Sequence, residues 1–234
     1  MFQGETPDAG RKKHNDMHDL KATYWKYVLL AVFISAGMRM YAQADEFATW
    51  SMIRVNHKIL PDLKFSAAVE FRSKADLKHA DRWGGDAGLM YNVLPCLQVE
   101  GVYELHYRRL DKGEWKFRHR YNLGVQVSAN WGDFKISLRE RFQETFSEGN
   151  VENRLRSRLK VSYGPSGWRV KPYFAPELYQ PIGDRAFFRV ARMRYRPGIE
   201  IKLSGRCSAD VFYCRQYEPG NSRNIFGIEV GVSL

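Results

Sequence analysis

The stretch Phe134–Phe146, FKISLRERFQETF, decides the fold. Phe134, Ile136, Leu138, Phe142 and Phe146 share one side of an extended chain, and Lys135, Ser137, Arg139, Arg141, Gln143 and Thr145 share the other. Successive side chains of a strand point to opposite faces, so this period of two predicts a β-strand with one apolar and one charged face. Glu140 and Glu144 are exceptions that fall on the apolar side.

The same alternation recurs on either side of this stretch. In Asn153–Tyr163, Leu155, Leu159, Val161 and Tyr163 oppose Arg154, Arg156, Arg158, Lys160 and Ser162. In Ala191–Leu203, Met193, Tyr195, Ile199, Ile201 and Leu203 oppose Arg192, Arg194, Arg196, Glu200 and Lys202. In Leu97–Arg108, Val99, Tyr103, Leu105 and Tyr107 oppose Gln98, Glu100, Glu104, His106 and Arg108. Helical periodicity is nearly absent after Asp45. Turn residues between such segments predict about eleven strands, near 47–59, 63–73, 83–93, 97–109, 115–130, 133–146, 152–163, 168–179, 187–203, 207–217 and 224–234.

Many of these strands exceed the five or six residues usual in soluble sheets and suit a membrane, where a tilted strand needs about 9–11. Connections near 60–62, 94–96, 130–132, 164–167 and 204–206 read as tight. Those near 74–82, 110–114, 147–151, 180–186 and 218–223 read as longer and polar, the two-sided layout of outer-membrane barrels. Trp83, Tyr91, Tyr107, Trp115, Trp131, Tyr163, Trp168, Tyr179 and Tyr217 lie near strand ends, where an aromatic girdle belongs. The expectation is an all-β, antiparallel up-and-down transmembrane β-barrel of roughly 10–12 strands, since single-chain barrels favour even numbers. An odd count of eleven leaves the start of the first strand on the long-loop side, opposite the carboxyl end. Alternation alone does not say which face is inside, so a soluble periplasmic sandwich or barrel binding an anionic ligand stays open.

Export tips that balance. Lys21–Ala44, KATYWKYVLLAVFISAGMRMYAQA, has basic residues (Lys21, Lys26), an apolar run from Tyr27 to Gly37, and Ala42-Gln43-Ala44 at the end. This is the order of a Sec signal cleaved after Ala44, and a run of about 11 residues is too short to span as a helix. Residues 1–44 are therefore expected to be an N-terminal extension and signal, with Met17 a plausible true start, and residues 45–234 the barrel. The whole chain carries 37 Lys and Arg against 26 Asp and Glu; without the six basic and four acidic residues before Asp45, 31 against 22 remain, or +9. An exported basic chain meets anionic lipid or polysaccharide instead of nucleic acid. Lys74, Lys78, Arg82, Lys112, Arg185 and Arg223 are candidates to pair with lipid A phosphates. Three cysteines form no complete disulfide framework, and Cys207 and Cys214 are roughly 23 Å apart along one strand.

Several segments together resemble the domain-of-unknown-function 2490 family, predicted Gram-negative outer-membrane barrels. They are Glu46-Phe47-Ala48-Thr49-Trp50, Arg118-His119-Arg120-Tyr121, Glu152-Asn153-Arg154-Leu155-Arg156, Lys171-Pro172-Tyr173 with Glu177-Leu178-Tyr179, and Arg194-Tyr195-Arg196-Pro197-Gly198-Ile199-Glu200. The resemblance implies fold and location, and no activity. The ending Val232-Ser233-Leu234 departs from the terminal Phe of many barrels.

The candidate ligand-binding set is an arginine ladder: Arg118, Arg120, Arg139, Arg141, Arg154, Arg156, Arg158, Arg192, Arg194 and Arg196. Its expected acidic partners are Glu70, Glu100, Glu104, Glu177, Glu200, Asp210 and Glu229. It reads either as an ion-pair network filling a narrow barrel or as the lining of a small anion-favouring channel. A lipid hydrolase is a third reading, resting on His119 and His106. Neither histidine sits in a nucleophile motif, no G-x-S-x-G occurs, and no metal-ligand spacing is present. No enzyme, cofactor or metal is expected.

Overall fold

A computed structural model describes residues 46–74, 76–110, 113–147, 149–183 and 189–234. The signal segment, its cleavage site, Lys112 and Arg185 lie outside the described residues. Eleven strands are described: β1 (Glu46–Lys58), β2 (Leu63–Lys74), β3 (His79–Leu94), β4 (Leu97–Arg109), β5 (Trp115–Trp131), β6 (Phe134–Ser147), β7 (Asn150–Tyr163), β8 (Val170–Ile182), β9 (Arg192–Lys202), β10 (Cys207–Glu218) and β11 (Asn221–Ser233). They form one closed barrel in which sequence neighbours pair antiparallel and β11 meets β1.

That last pairing corrects the expectation of an all-antiparallel wall. Consecutive strands reverse direction, so after an odd number the first and last run the same way. β1 and β11 accordingly pair in parallel, from Glu46↔Arg223 to Asn56↔Ser233. Closure leaves neither strand with an unpaired row of amides, which is the requirement for a sheet without edges.

The expected asymmetry of connections is absent. One rim carries 59–62, 95–96, 132–133, 164–169 and 203–206; the other carries 75–78, 110–114, 148–149, 183–191 and 219–220. Only 183–191 is long. Residues read as polar loops, such as His79–Arg82 and Asn221–Arg223, extend the ladder instead.

Which face is inside is now plain. Exposed residues on the outer wall include Val69, Leu123 and Trp131, at 62%, 65% and 77% exposure. The charged face lines the interior. A β-sandwich with its apolar face inside is thereby excluded. Of the expected girdle aromatics, Trp83, Tyr91, Tyr107, Trp131, Trp168 and Tyr217 are exposed, but Tyr179 is 3% exposed and turned into the lumen.

A small apolar core sits inside the wall where β8, β10, β11 and β1 meet: Tyr173, Ala175, Phe212, Cys214, Ile225 and Ala48, with Trp50 against it. Its two rings have room because glycines face them. Phe212 pairs across the ladder with Gly227 and Gly198, and Tyr173 pairs with Gly198. A Cβ on Gly198 would stand 2.5 Å from the Tyr173 ring, and one on Gly227 would overlap Phe212. Aromatic rings covering strand glycines restore packing that the missing side chain would have supplied. Cys96, Cys207 and Cys214 are free.

Candidate functional site: an arginine-lined lumen

The period of two that makes each strand also aims its arginines at a common interior. They surround a cavity of about 360 Å³. Of the ladder expected from sequence, Arg120, Arg139, Arg141, Arg154, Arg156, Arg158, Arg192, Arg194 and Arg196 line it; Arg118 does not. Glu70, Glu100, Glu104 and Glu229 also reach the cavity, while Glu177, Glu200 and Asp210 meet cations of the wall.

On the β8–β11 side Arg194 and Arg196 are well satisfied. Arg196 pairs with Asp210 at 2.7 Å and Glu229 at 2.9 Å, donates through Nε to Tyr173 Oη at 2.9 Å, and lies 3.5 Å above the Phe212 ring. Tyr173 Oη in turn donates to Asp210 at 2.8 Å. Arg194 donates to Gln216 at 2.7 Å and to Tyr179 Oη, between the Trp50 and Tyr179 rings. Glu177, 2% exposed, accepts from Arg156 at 2.8 and 3.0 Å and from Tyr179 at 3.1 Å, with Arg158 and Arg194 each 3.7 Å away. Arg192 meets Glu218 at 2.6 Å, Lys160 meets Glu200, and Arg154 meets Glu152. Charge-assisted bonds and cation–π contacts of this kind are what make buried guanidiniums tolerable.

On the β2–β5 side the acids hold the centre. Glu70 pairs with Arg82 at 2.6 Å and Arg72 at 2.9 Å. Glu104 accepts from Asn122 at 2.9 Å and Arg120 at 3.1 Å, and its carboxylate lies 2.8 Å from His106 Nε2. Gln143 donates to Asn122 at 2.8 Å, and Arg54 pairs with Asp86 at 3.0 Å.

Between these sides, β6 and β7 set four arginines in a square. Arg139 lies directly opposite Arg158, and Arg141 directly opposite Arg156. Like charges facing each other across a ladder repel. Two carboxylates flank the square. Glu100 takes Arg141 at 2.6 Å, and Glu177 takes Arg156. Arg139 and Arg158 reach those same carboxylates only at 4.0 and 3.7 Å, beyond hydrogen-bond distance. Four guanidiniums thus share two carboxylates, and all four line the cavity.

The other sequence candidates divide. Arg82, expected at a lipid-facing rim, is buried with Glu70; Arg223 pairs with Glu46 at 2.6 Å, and Lys74 lies 3.9 Å from Asp81. Lys78 is exposed in the β2–β3 turn. His106 is 3% exposed inside the acid cluster, while His119 faces outward with Nδ1 2.6 Å from Tyr103 Oη. The outward Ser157 donates to Glu140 at 2.7 Å. Its register partner Glu140 is six positions along β6 from Phe146, the partner of His119. That separation is about 20 Å, so Ser157 and His119 cannot exchange a proton directly. Among the described residues no group of three or more His, Cys, Asp or Glu gathers as a metal site. Arg54, Arg72, Tyr173 and Tyr179 take part in the lumen without having been singled out for it. Arg72 shares strand parity with Glu70, and Tyr173 and Tyr179 with Glu177; β1, which carries Arg54, holds no residue expected in the lumen.

Residues 47–226 match the family described as "Protein of unknown function (DUF2490)", and the chain belongs to that family. No curated protein matches the chain. Among solved structures it is similar to the translocator domain of autotransporter NalP from Neisseria meningitidis, at 12% identity and a TM-score of 0.44, over 71% of this chain and 72% of that one.

Proposed function

We propose that this member of the DUF2490 family is an integral outer-membrane β-barrel, exported by a signal cleaved after Ala44, whose lumen binds small anions and favours their passage. It catalyses no covalent reaction. Its surroundings are outer-membrane lipid, including lipid A phosphates met by exposed rim cations such as Lys78, and not nucleic acid. The membrane reading is supported by a closed wall with apolar residues outside and charge inside, the reverse of a water-soluble barrel. The anion reading is carried by one observation: Arg139 and Arg158 face each other on the cavity wall with no carboxylate among the described residues within hydrogen-bond reach.

Membrane insertion is tested by fractionation with outer membranes and by heat-modifiable gel migration; a chain soluble without detergent overturns it. The anion reading is tested in planar bilayers, with anion-favouring steps expected from the wild type and lost in Arg139→Gln/Arg158→Gln. A wild type that neither conducts nor binds inorganic phosphate overturns it. The second reading, a sealed structural lumen, draws support from the saturated surroundings of Arg196 and Arg194. It predicts no conductance and a stability indifferent to phosphate.

A further inference from the structure

The outer face of β6 and β7 carries polar groups that the lumen does not use. Glu140 and Glu144 project outward from β6, and their direct partners on β7 are Ser157 and Asn153. The apolar pair Phe142↔Leu155 separates these two polar rungs. Glu140 lies at the middle of Phe134–Ser147 and Ser157 at the middle of Asn150–Tyr163, level with the exposed Leu138, Leu123 and Leu159. Hydrocarbon at this depth offers no hydrogen-bond partner, and an outward acid in it is unfavourable. Ser157 occupies one carboxylate oxygen of Glu140, and Asn153 Oδ1 is buried without a partner.

The arrangement is self-complementary. Both carboxylates stand on β6, and both neutral side chains able to donate stand on β7. A two-fold axis along the membrane normal, passing between β6 and β7, keeps every residue at its depth and exchanges the two strands. β6 of one copy then faces β7 of the other, so Glu140 meets the second copy's Ser157 and Glu144 meets the second copy's Asn153. Symmetric dimers require a patch that fits itself in this way. We propose that this stripe is the contact between two copies of the chain in the membrane, a proposal that rests on the membrane reading above. Each Ser157 keeps its one proton on its own Glu140, the second copy's Asn153 Nδ2 donates to Glu144, and Phe142 and Leu155 pack at the axis.

The test uses the full chain in mild detergent, with oligomer mass from light scattering corrected for bound detergent. The wild type is expected to be a dimer. Glu144→Leu/Asn153→Leu, which makes the stripe more lipid-like and leaves the lumen untouched, is expected to weaken association about tenfold or more. Heat-modifiable migration reports that the variant still folds. In a Cys96→Ser/Cys207→Ser background, Leu155→Cys is expected to cross-link two copies in vesicles on oxidation, whereas Val69→Cys on β2 is not. A membrane-integral, heat-modifiable wild type that is monomeric and gives no Leu155→Cys cross-link overturns the dimer alone. An unchanged dimer in the double variant also overturns it. A chain that is soluble without detergent overturns the membrane reading and the dimer together.

Discussion

Arg196 and Arg139 face the same lumen from different sectors, and their surroundings differ in kind. Arg196 has two carboxylates, a tyrosine oxygen and an aromatic face within contact; Arg139 has another arginine opposite and a carboxylate at 4.0 Å. The count of arginines is therefore a poor guide to function. The ratio of acceptors to guanidiniums, sector by sector, separates those that hold the wall together from those with donors left over. Removing a member of the first group leaves a buried charge unpaired. Removing a member of the second relieves repulsion.

The largest effect that can break this contrast is loss of a shared acceptor. Glu177→Ala strands Arg156, Arg158 and Arg194 together and is expected to cost about 3–5 kcal/mol, read as the urea midpoint of unfolding from detergent or lipid. A loss below ~1 kcal/mol would mean that water inside the lumen already compensates these charges. Next in size is phosphate linkage. If Arg139 and Arg158 hold an anion, inorganic phosphate at a hundred times its dissociation constant stabilises the wild type by about 2.7 kcal/mol, and the Arg139→Gln/Arg158→Gln variant by much less. Tyr173→Phe, which deletes the hydroxyl between Arg196 and Asp210, is expected to cost about 1–2 kcal/mol without altering phosphate response. The smallest effect is the stability of Arg139→Gln/Arg158→Gln without phosphate, expected within ~1 kcal/mol of the wild type or above it. A large loss there would place those two residues with Arg196.

Most of the wall was legible because a period of two survives in sequence. Strand ends fell within a few residues of the observed ones wherever Pro and Gly marked the turn, as at Leu94–Leu97. The misplaced residues have a local cause. In sequence Tyr179 reads as a strand-end aromatic, but β8 continues to Ile182, and Tyr179 shares parity with Glu177. Arg82 reads as a loop cation because His79–Arg82 is polar, although inner barrel faces are polar as well. Ion-pair partners could not be read at all. Whether Glu177 meets Arg156 or Arg154 depends on the β7–β8 register, which is a property of paired strands and not of either segment alone. Parallel closure was the logical outcome of an odd count, set against a general preference for even ones.

The parallel seam also bears on how the molecule can be re-engineered. In most compact domains the ends of the fold lie close together, and circular permutation joins them with a short linker. Here the first residue of β1 pairs near the start of β11, while β11 runs on to the opposite rim. A connector from Ser233 back to Glu46 must travel the length of a strand, about 40 Å, through or around the wall. A permutant opened at a hairpin and joined by a few glycines should therefore fail to close. The same geometry offers a benefit: reporters fused next to Glu46 and Ser233 stand at opposite mouths, a built-in pair of probes for which mouth faces which compartment.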